Sequence, residues 1–122
     1  MKIICVGRNY VNHIIELENE HPKNPLIFFK NSECLSNIKL FSMPQFSNNI
    51  HHEVELVFKI CKSGKNIKVN DTKEYISHIA LGIDFTARDI QNEYKTKGYP
   101  WSFSKTFDNS APISRFIEIK NF

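Results

Sequence analysis

The chain has 122 residues, of which 41% are apolar, and a formal charge of +3. This length fits one compact domain, and the ten phenylalanines among its apolar residues can supply a core. The lysines are scattered, and the aromatic residues do not alternate with basic ones, which excludes the usual signatures of nucleic-acid binding.

Strands and helices follow one another irregularly along the chain. Runs of apolar and aromatic residues predict five strands, with the sequences KIICV, LIFFK, IKLF, EVELVFKIC and SHIALGIDF. Helical patterns predict one helix over 9–20, helical turns in NDTKEYI, and a second helix over ARDIQNEYKTK. This second helix would be capped by Thr86 or its neighbour and stopped by Gly98 and Pro100. Because strands outnumber helices and their connections are irregular, we expect an α+β fold.

The cysteines and the apolar runs bear on cellular location. Cys5, Cys34 and Cys61 lie far apart and form no CxxC pair, so free thiols in a reducing compartment are expected. No apolar run is long enough for a signal peptide or a membrane helix, and no Arg- and Ser-rich transit segment precedes the first strand. We therefore expect a soluble cytoplasmic protein without a membrane partner.

The stretch HHEVELVF, His51 to Phe58, places two glutamates inside an apolar strand. Residues two apart on a strand point to the same side, so Glu53 and Glu55 share one face. With Asp84, at the end of another apolar strand, they would form an all-oxygen site suited to Mg²⁺, Mn²⁺ or Ca²⁺. The alternative is an edge strand whose glutamates face water, and the alternation by itself favours that alternative.

His13 and Glu16 lie three residues apart in NHIIE, on one face of the first predicted helix. A histidine beside a carboxylate can act as a general base. The alternative is an incidental polar pair on an exposed helix, which the spacing alone favours because His-x-x-Glu is a weak pattern.

Three basic residues lie close to apolar or acidic positions. Lys30 closes an apolar strand and Lys105 lies among aromatic residues, so either could hold a substrate carboxylate or stabilise an oxyanion. The alternative is a lysine with a buried stem and a solvated ammonium. Arg88 starts the second helix, where it could contact substrate, whereas the neighbouring Asp89 is explained by the helix dipole.

Several motifs together resemble the fumarylacetoacetate hydrolase family. GIDFTARDIQ and KGYPWSFSKTFDNSAPIS look like its signature, and GRNYVNHIIE, PLIFFKNSECL and HHEVEL precede them in the family's order. The resemblance runs from about Ile4 to Ser114 and is greatest to the small acylpyruvase and oxaloacetate decarboxylase branch. It implies a mixed β-sheet roll of the family's C-terminal-domain type, with short helices that include an N-terminal lid helix.

The resemblance also implies a role for each candidate residue. Glu53, Glu55 and Asp84 match the ligands of the family's Mg²⁺ or Mn²⁺. The resemblance therefore favours a metal site over the alternative of an edge strand whose glutamates face water. His13 and Glu16 match a dyad on the lid helix, and Lys105 matches a catalytic lysine at the substrate. The remaining matches are implied substrate-binding residues, namely Lys30, Arg88 and Gln91.

The implied activity is metal-dependent cleavage of a C–C bond in a small 2-oxo acid. The bound metal would stabilise a pyruvate enolate, formed by acylpyruvate hydrolysis with water activated by His13 and Glu16, or by oxaloacetate decarboxylation. Two alternatives are an isomerase or decarboxylase of a dienoic dicarboxylate, and an inactive remnant of the family. The resemblance further implies a homodimer and a single catalytic domain over 1–122 that lacks its C-terminal part, because members of this type have about two hundred residues.

Overall fold

The computed structural model describes residues 1–16, 22–36 and 41–120, except for the side chains of His13 and Ile14. Its strands are β1 (Ile3–Gly7), β2 (Leu26–Lys30), β3 (Leu35–Ser36), β4 (Ile50–Ile60), β5 (Ile76–Ala87), β6 (Ala111–Pro112) and β7 (Ile117–Glu118). Its α-helices are α1 (Val11–Glu16), α2 (Arg88–Lys97) and α3 (Ser102–Lys105). Short 3-10 helices cover Ser32–Cys34 and Val69–Tyr75.

Two antiparallel hairpins organise the described part of the chain. Strands β1 and β2 form one, with Ile3 opposite Lys30. The long strands β4 and β5 form the other, and β7 pairs with the far side of β5. Strands β3 and β6 form a two-residue parallel pair. The result is a mixed arrangement of strands and short helices in which β4 is an edge strand of its sheet.

The register of the β4–β5 hairpin separates two chemically different faces. Glu53 lies opposite Asp84 and Glu55 lies opposite Gly82, so these residues share the inner face. On the outer face, Val54, Leu56, Phe58 and Leu81 are all exposed, with 43% to 62% of each residue accessible to solvent. We call these four residues the outer face. The prediction that Glu53 and Glu55 point to the same side is confirmed.

The buried residues of the described chain are mainly polar. The buried apolar residues are small ones, Cys34, Ala80, Ala87 and Ala111. The buried polar residues are more numerous and include charged side chains; they are Lys30, Ser47, Asp84, Thr86, Arg88, Gln91, Ser104, Lys105 and Ser110. Since charged residues are rarely buried without partners, we expect these side chains to pair with one another near the inner face of the hairpin.

Helix α2 begins and ends close to the boundaries predicted from sequence. It ends before Gly98, whose φ of 69° gives the left-handed cap that glycine favours. Its N-cap position is Ala87, the neighbour of Thr86 that the prediction also allowed, and Ala87 makes no side-chain hydrogen bond to the helix. Asp89 in the first turn accepts hydrogen bonds from Ser47 Oγ at 2.6 Å and from the Asn48 amide at 3.0 Å. Burial raises the pKa of Asp89, but these hydrogen bonds outweigh it, so this pKa is lowered.

The N-terminal part of the chain is described only in part. The first element is the strand β1, and α1 begins at Val11, two residues after the start of the helix predicted over 9–20. Residues 17–20 of that predicted helix, and most of the predicted strand IKLF, lie outside the described residues. The three cysteines are free thiols, as predicted. No helix of the described chain is long and apolar enough to cross a membrane.

Candidate active site

Five charged side chains meet on the inner face of the β4–β5 hairpin. We call them the charged cluster: Lys30, Glu53, Asp84, Arg88 and Lys105. Each comes from a different position in the fold, at the end of β2, within β4 and β5, at the start of α2 and at the end of α3. Their side chains expose between 1% and 16% of their area, so the ion pairs among them are shielded from water. In such surroundings charge–charge interactions are stronger than at a surface.

Lys105 lies between the two facing carboxylates. Its Nζ donates to Glu53 Oε2 at 2.8 Å, to Asp84 Oδ2 at 2.6 Å and to Thr86 Oγ1 at 2.6 Å. These three bonds use its three ammonium protons. The Phe28 ring lies 5.1 Å from the same nitrogen and closes the other side. The ammonium therefore holds a position where positive charge is stabilised by two carboxylates at once.

Arg88 holds the other oxygen of Glu53. It forms an ion pair with Glu53 Oε1, and its guanidinium also donates to Gln91 Oε1 and, through Nε, to His51 Nδ1 at 3.3 Å. Burial raises the pKa of Glu53, but Lys105 and Arg88 outweigh it and hold this pKa at about 2. Glu53 is therefore ionised throughout the physiological pH range.

Glu55 has a different environment on the same face. Burial raises its pKa to about 7, with further contributions from the negative charges of Asp84 and Glu53. A hydrogen bond from the Tyr10 hydroxyl acts against this shift. The same hydroxyl accepts a hydrogen bond from the Leu56 amide at 3.3 Å, which ties the segment before α1 to β4. Glu55 is thus a carboxyl with too little positive charge nearby.

The carboxylate set is chemically suited to a hard divalent cation. The described residues contain no group of three His, Cys, Asp or Glu side chains already arranged around one point. However, Asp84 Oδ1 is buried without a hydrogen bond, although Lys30 Nζ lies 3.0 Å from it. The Lys105 ammonium already stands between Glu53 and Asp84, and Glu55 would gain from added positive charge. All-oxygen ligands of this kind suit Mg²⁺ or Mn²⁺.

Lys30 is enclosed by protein acceptors. Its Nζ donates to the backbone oxygens of Phe85, Lys105 and Ser110 and to Ser110 Oγ. Its side chain is 1% exposed. These contacts hold the backbone around Lys105, and the predicted contact of Lys30 with substrate stays a prediction.

The predicted site residues separate into two groups. Most of them meet in or beside the charged cluster, namely Lys30, Glu53, Glu55, Asp84, Arg88, Gln91 and Lys105. His13 and Glu16 both belong to α1, but the side chain of His13 lies outside the described residues. The pairing of His13 with Glu16 therefore stays a prediction.

Sequence reasoning missed three contributors to the site. Thr86 accepts from Lys105, Ser110 accepts from Lys30, and Tyr10 contacts Glu55. Thr86 could have been found, because it follows Asp84 by two residues on one strand and so shares its face. For Ser110 and Tyr10 we find no local signal, since their partners are distant in sequence.

Comparison with known proteins agrees with the resemblance seen in the motifs. The family model described as fumarylacetoacetate (FAA) hydrolase C-terminal matches residues 2–121. The mitochondrial oxaloacetate tautomerase of Caenorhabditis elegans is 41% identical in an alignment that covers 98% of this chain and 56% of that protein. The mitochondrial oxaloacetate decarboxylase of Dictyostelium discoideum is 43% identical over 95% of this chain and 54% of its own length.

A solved structure agrees with the fold. The fumarylpyruvate hydrolase of Pseudomonas aeruginosa, in complex with Mn²⁺ and pyruvate, superposes with a TM-score of 0.88 at 34% identity. The match covers 95% of this chain and 52% of that one. The chain thus has the mixed α/β fold of this C-terminal domain, and it spans about half the length of the relatives that it matches.

The prediction of a cytoplasmic protein is wrong on this comparison. The relatives from Caenorhabditis elegans, Dictyostelium discoideum, cattle and mouse are all named as mitochondrial. The prediction relied on the absence of a transit segment before the first strand. A chain that matches only about half of its relatives' length gives no basis for such an argument.

Proposed function

The chain belongs to the fumarylacetoacetate hydrolase family, and from this membership and the charged cluster we propose that it acts as a metal-dependent enzyme on small 2-oxo acids. Its reaction would be the decarboxylation of oxaloacetate. The observation that carries the proposal is the buried juxtaposition of Glu53, Asp84 and Lys105. Among curated relatives, the Dictyostelium discoideum protein is named for this reaction.

The metal would be held by Glu53, Glu55 and Asp84. Their carboxylates offer hard oxygen atoms, and Asp84 Oδ1 is buried without a hydrogen bond, facing the Lys30 ammonium at 3.0 Å. When bound, Mg²⁺ or Mn²⁺ would supply a Lewis acid that polarises the oxygens of a 2-oxo acid. A cation would also favour the ionised form of Glu55, whose pKa is about 7 without one.

The positive charges of the cluster favour binding of an anionic substrate. Lys30, Arg88 and Lys105 carry three positive charges, against two from Glu53 and Asp84, so the cluster is cationic before any metal or Glu55 is counted. Oxaloacetate is a dianion at neutral pH and suits such surroundings. The Lys105 protons are directed at Glu53, Asp84 and Thr86 in the metal-free chain. Once the two carboxylates hold a cation, Lys105 would be free to hold a substrate carboxylate or to stabilise the charge that develops on the 2-oxo oxygen.

Decarboxylation is the reaction that the described residues support best. When the bond to the departing carboxylate breaks, its electron pair passes towards the 2-oxo group, CO₂ leaves, and a proton is later added at the same carbon. This step needs positive charge near the 2-oxo group, which the cluster provides, and no activated water. Hydrolysis of an acylpyruvate would additionally require His13 and Glu16 to activate water. We propose that α1 acts as a lid that brings this pair to the substrate and excludes water on closing.

Keto–enol tautomerisation of oxaloacetate is the second candidate, because the Caenorhabditis elegans relative is named as an oxaloacetate tautomerase. Tautomerisation requires a base at the carbon next to the 2-oxo group but no bond cleavage between carbons. The charge-stabilising part of the site would serve both reactions. A homodimer remains a prediction from the family resemblance.

Three assays separate these reactions. Pyruvate formation reports oxaloacetate decarboxylation, loss of the enol's ultraviolet absorbance reports tautomerisation, and acid release from acetylpyruvate reports hydrolysis. Each is run with Mg²⁺ and with Mn²⁺, and the rate with metal alone is subtracted because divalent cations decarboxylate oxaloacetate slowly by themselves.

The expected result is metal-dependent pyruvate formation that Asp84→Asn abolishes and that the exposed control Asp71→Asn retains. His13→Ala should retain decarboxylation and lose hydrolysis. A rate equal to that of metal alone in all three assays would overturn the proposed function.

A further inference from the structure

Lys30 differs from the other cations of the cluster in what its ammonium contacts. Lys105 and Arg88 direct their donors mainly at carboxylate and amide side chains. Lys30 directs its donors mainly at the backbone, at the oxygens of Phe85, Lys105 and Ser110. These partners are between 55 and 80 residues away along the sequence. One side chain therefore joins β2 to β5 and to the segment that follows α3.

The ammonium of Lys30 has no proton left for a substrate. It carries three N–H donors, whereas five oxygen atoms surround it: three backbone oxygens, Ser110 Oγ at 2.9 Å and Asp84 Oδ1 at 3.0 Å. A new bond to a substrate carboxylate would require one of the buried acceptors to lose its donor, which is costly. With 1% of its side chain exposed, Lys30 also presents almost no surface to a ligand.

The contacts of Lys30 converge on the backbone of Lys105. The carbonyl of Lys105 accepts from Lys30 Nζ and from Ser110 Oγ, the latter at 3.2 Å. Ser110 is itself fixed, because its amide donates to Phe107 O at 3.1 Å and its carbonyl accepts from the Phe85 amide at 3.0 Å. Lys30 and Ser110 thus hold the backbone from which the Lys105 side chain extends to Glu53 and Asp84.

From this geometry we infer that Lys30 is a positioning residue, which fixes the 105–110 segment and through it the Lys105 ammonium, and that it does not bind substrate directly. Its kinetic consequence rests on the proposed function, but its structural consequence does not. Positioning residues of this kind matter because a small displacement of a catalytic group lowers the rate greatly.

The test compares Lys30→Met with the exposed control Lys65→Met in metal-free protein. Methionine keeps most of the apolar stem and removes the donors. Hydrogen exchange should accelerate at least tenfold at the amides of Phe85 and Ser110 in Lys30→Met, and should be unchanged in Lys65→Met. Because this measurement needs no turnover, it remains decisive if the proposed function fails. Unchanged exchange at both amides would overturn the inference.

The kinetic arm distinguishes positioning from substrate binding and from a purely structural role. Positioning predicts a fall in kcat of at least tenfold with little change in KM for oxaloacetate. A raised KM with unchanged kcat and unchanged hydrogen exchange would identify a substrate contact and overturn the inference. Normal kcat and KM, with only the melting temperature lowered, would also overturn it, since Lys30 would then be structural alone.

Two further variants keep the test informative if Lys30→Met does not fold. Ser110→Ala removes one acceptor of Lys30 and one donor to the Lys105 carbonyl, and it should reproduce the fall in kcat to a smaller extent. Lys30→Arg retains the charge, but its planar fork cannot match acceptors arranged around a point ammonium. Recovery of wild-type kcat by arginine would contradict the inference, because charge alone would then suffice.

Discussion

The two faces of the β4–β5 hairpin carry opposite chemistry to that of an ordinary half-buried sheet. Its inner face presents Glu53, Glu55 and Asp84 to the interior, whereas its outer face presents Val54, Leu56, Phe58 and Leu81 to solvent. In most antiparallel sheets the apolar face packs inward and the polar face meets water. Here the buried side is the charged one, and apolar residues of the kind that usually form a core lie exposed.

The two faces differ in whether their side chains find partners within the described chain. Every carboxylate of the charged cluster has a cationic partner within it. Three of the four residues of the outer face lie on the edge strand β4, and an edge strand with exposed apolar side chains favours association with further protein. The buried polar network is therefore the better-defined half of the hairpin, and substitutions there should have the largest effects.

Asp84→Ala should produce the largest effect on stability. It removes the carboxylate from two ammonium groups, those of Lys30 and Lys105, and leaves both buried with less compensation. Breaking a buried ion pair in this way costs about 3–5 kcal/mol. Urea unfolding of metal-free protein measures this loss, with the exposed Asp71→Ala as the control. A loss below about 1 kcal/mol would show that the cluster is hydrated in solution.

Lys105→Met should cause the second-largest loss of stability and a large loss of activity. Glu53 keeps Arg88 and Asp84 keeps Lys30, so the expected loss is about 2–3 kcal/mol, that of hydrogen bonds to charged groups. Under the proposed function, kcat for oxaloacetate should fall roughly 100- to 1000-fold, the usual effect of removing a charge-stabilising donor. Unfolding and steady-state kinetics with the exposed control Lys65→Met measure both. An unchanged kcat would exclude Lys105 from the reaction.

The polar face was only partly predictable from sequence. Strand periodicity placed Glu53 and Glu55 on one side, because that depends on neighbouring residues alone. The position of Glu53 opposite Asp84 depends on the register between β4 and β5, which are joined by the fifteen-residue connection 61–75. The contacts of Lys30 with Phe85 and Ser110 are longer in range still and have no local signal. The family motifs identified the residues, and the structure supplied their contacts.

The outer face shows the limit of alternation as evidence in a different way. The alternative of an edge strand whose glutamates face water would require Val54, Leu56 and Phe58 to pack inward, whereas they are exposed. Hydrophobicity alone cannot assign a face to the core when the opposite face bears a buried charge network. The discrepancy is explained by Arg88, Lys30 and Lys105, which come from other elements and compensate the carboxylates.

The two glutamates of β4 should respond to neutralisation with opposite signs. In metal-free protein at pH 8, Glu53→Gln should destabilise by about 1–3 kcal/mol, because it removes the charged partner of Lys105 and Arg88. Glu55→Gln should stabilise, because it removes a carboxylate that folding disfavours. Melting temperatures of the two variants and the wild type check this prediction. Two shifts of the same sign would contradict it.

The pH dependence follows from the same two pKa values. The pKa of Glu53 is about 2 in the folded protein, below its unfolded value. Its ion pairs therefore stabilise the fold fully above about pH 4.5, and this stabilisation is lost as the pH falls towards 2. The folded pKa of Glu55 is about 7, so wild-type stability should decrease as the pH rises from about 4.5 to 7. Glu55→Gln should lack that decrease. Saturating Mg²⁺ should remove the decrease from the wild type, if Glu55 is a metal ligand.

Val54→Thr on the outer face should have the smallest effect of the series. Threonine keeps the β-branched shape, and Val54 is 62% exposed, so the expected change in the free energy of unfolding is within about 0.5 kcal/mol. Binding of a hydrophobic dye should fall at the same time, because the substitution places a hydroxyl in the exposed apolar patch. Urea unfolding and dye fluorescence measure the two effects. A loss above about 1 kcal/mol would mean that another protein surface covers the outer face in solution. Exposed apolar residues opposite a buried charged face would then be found only in a single chain considered alone.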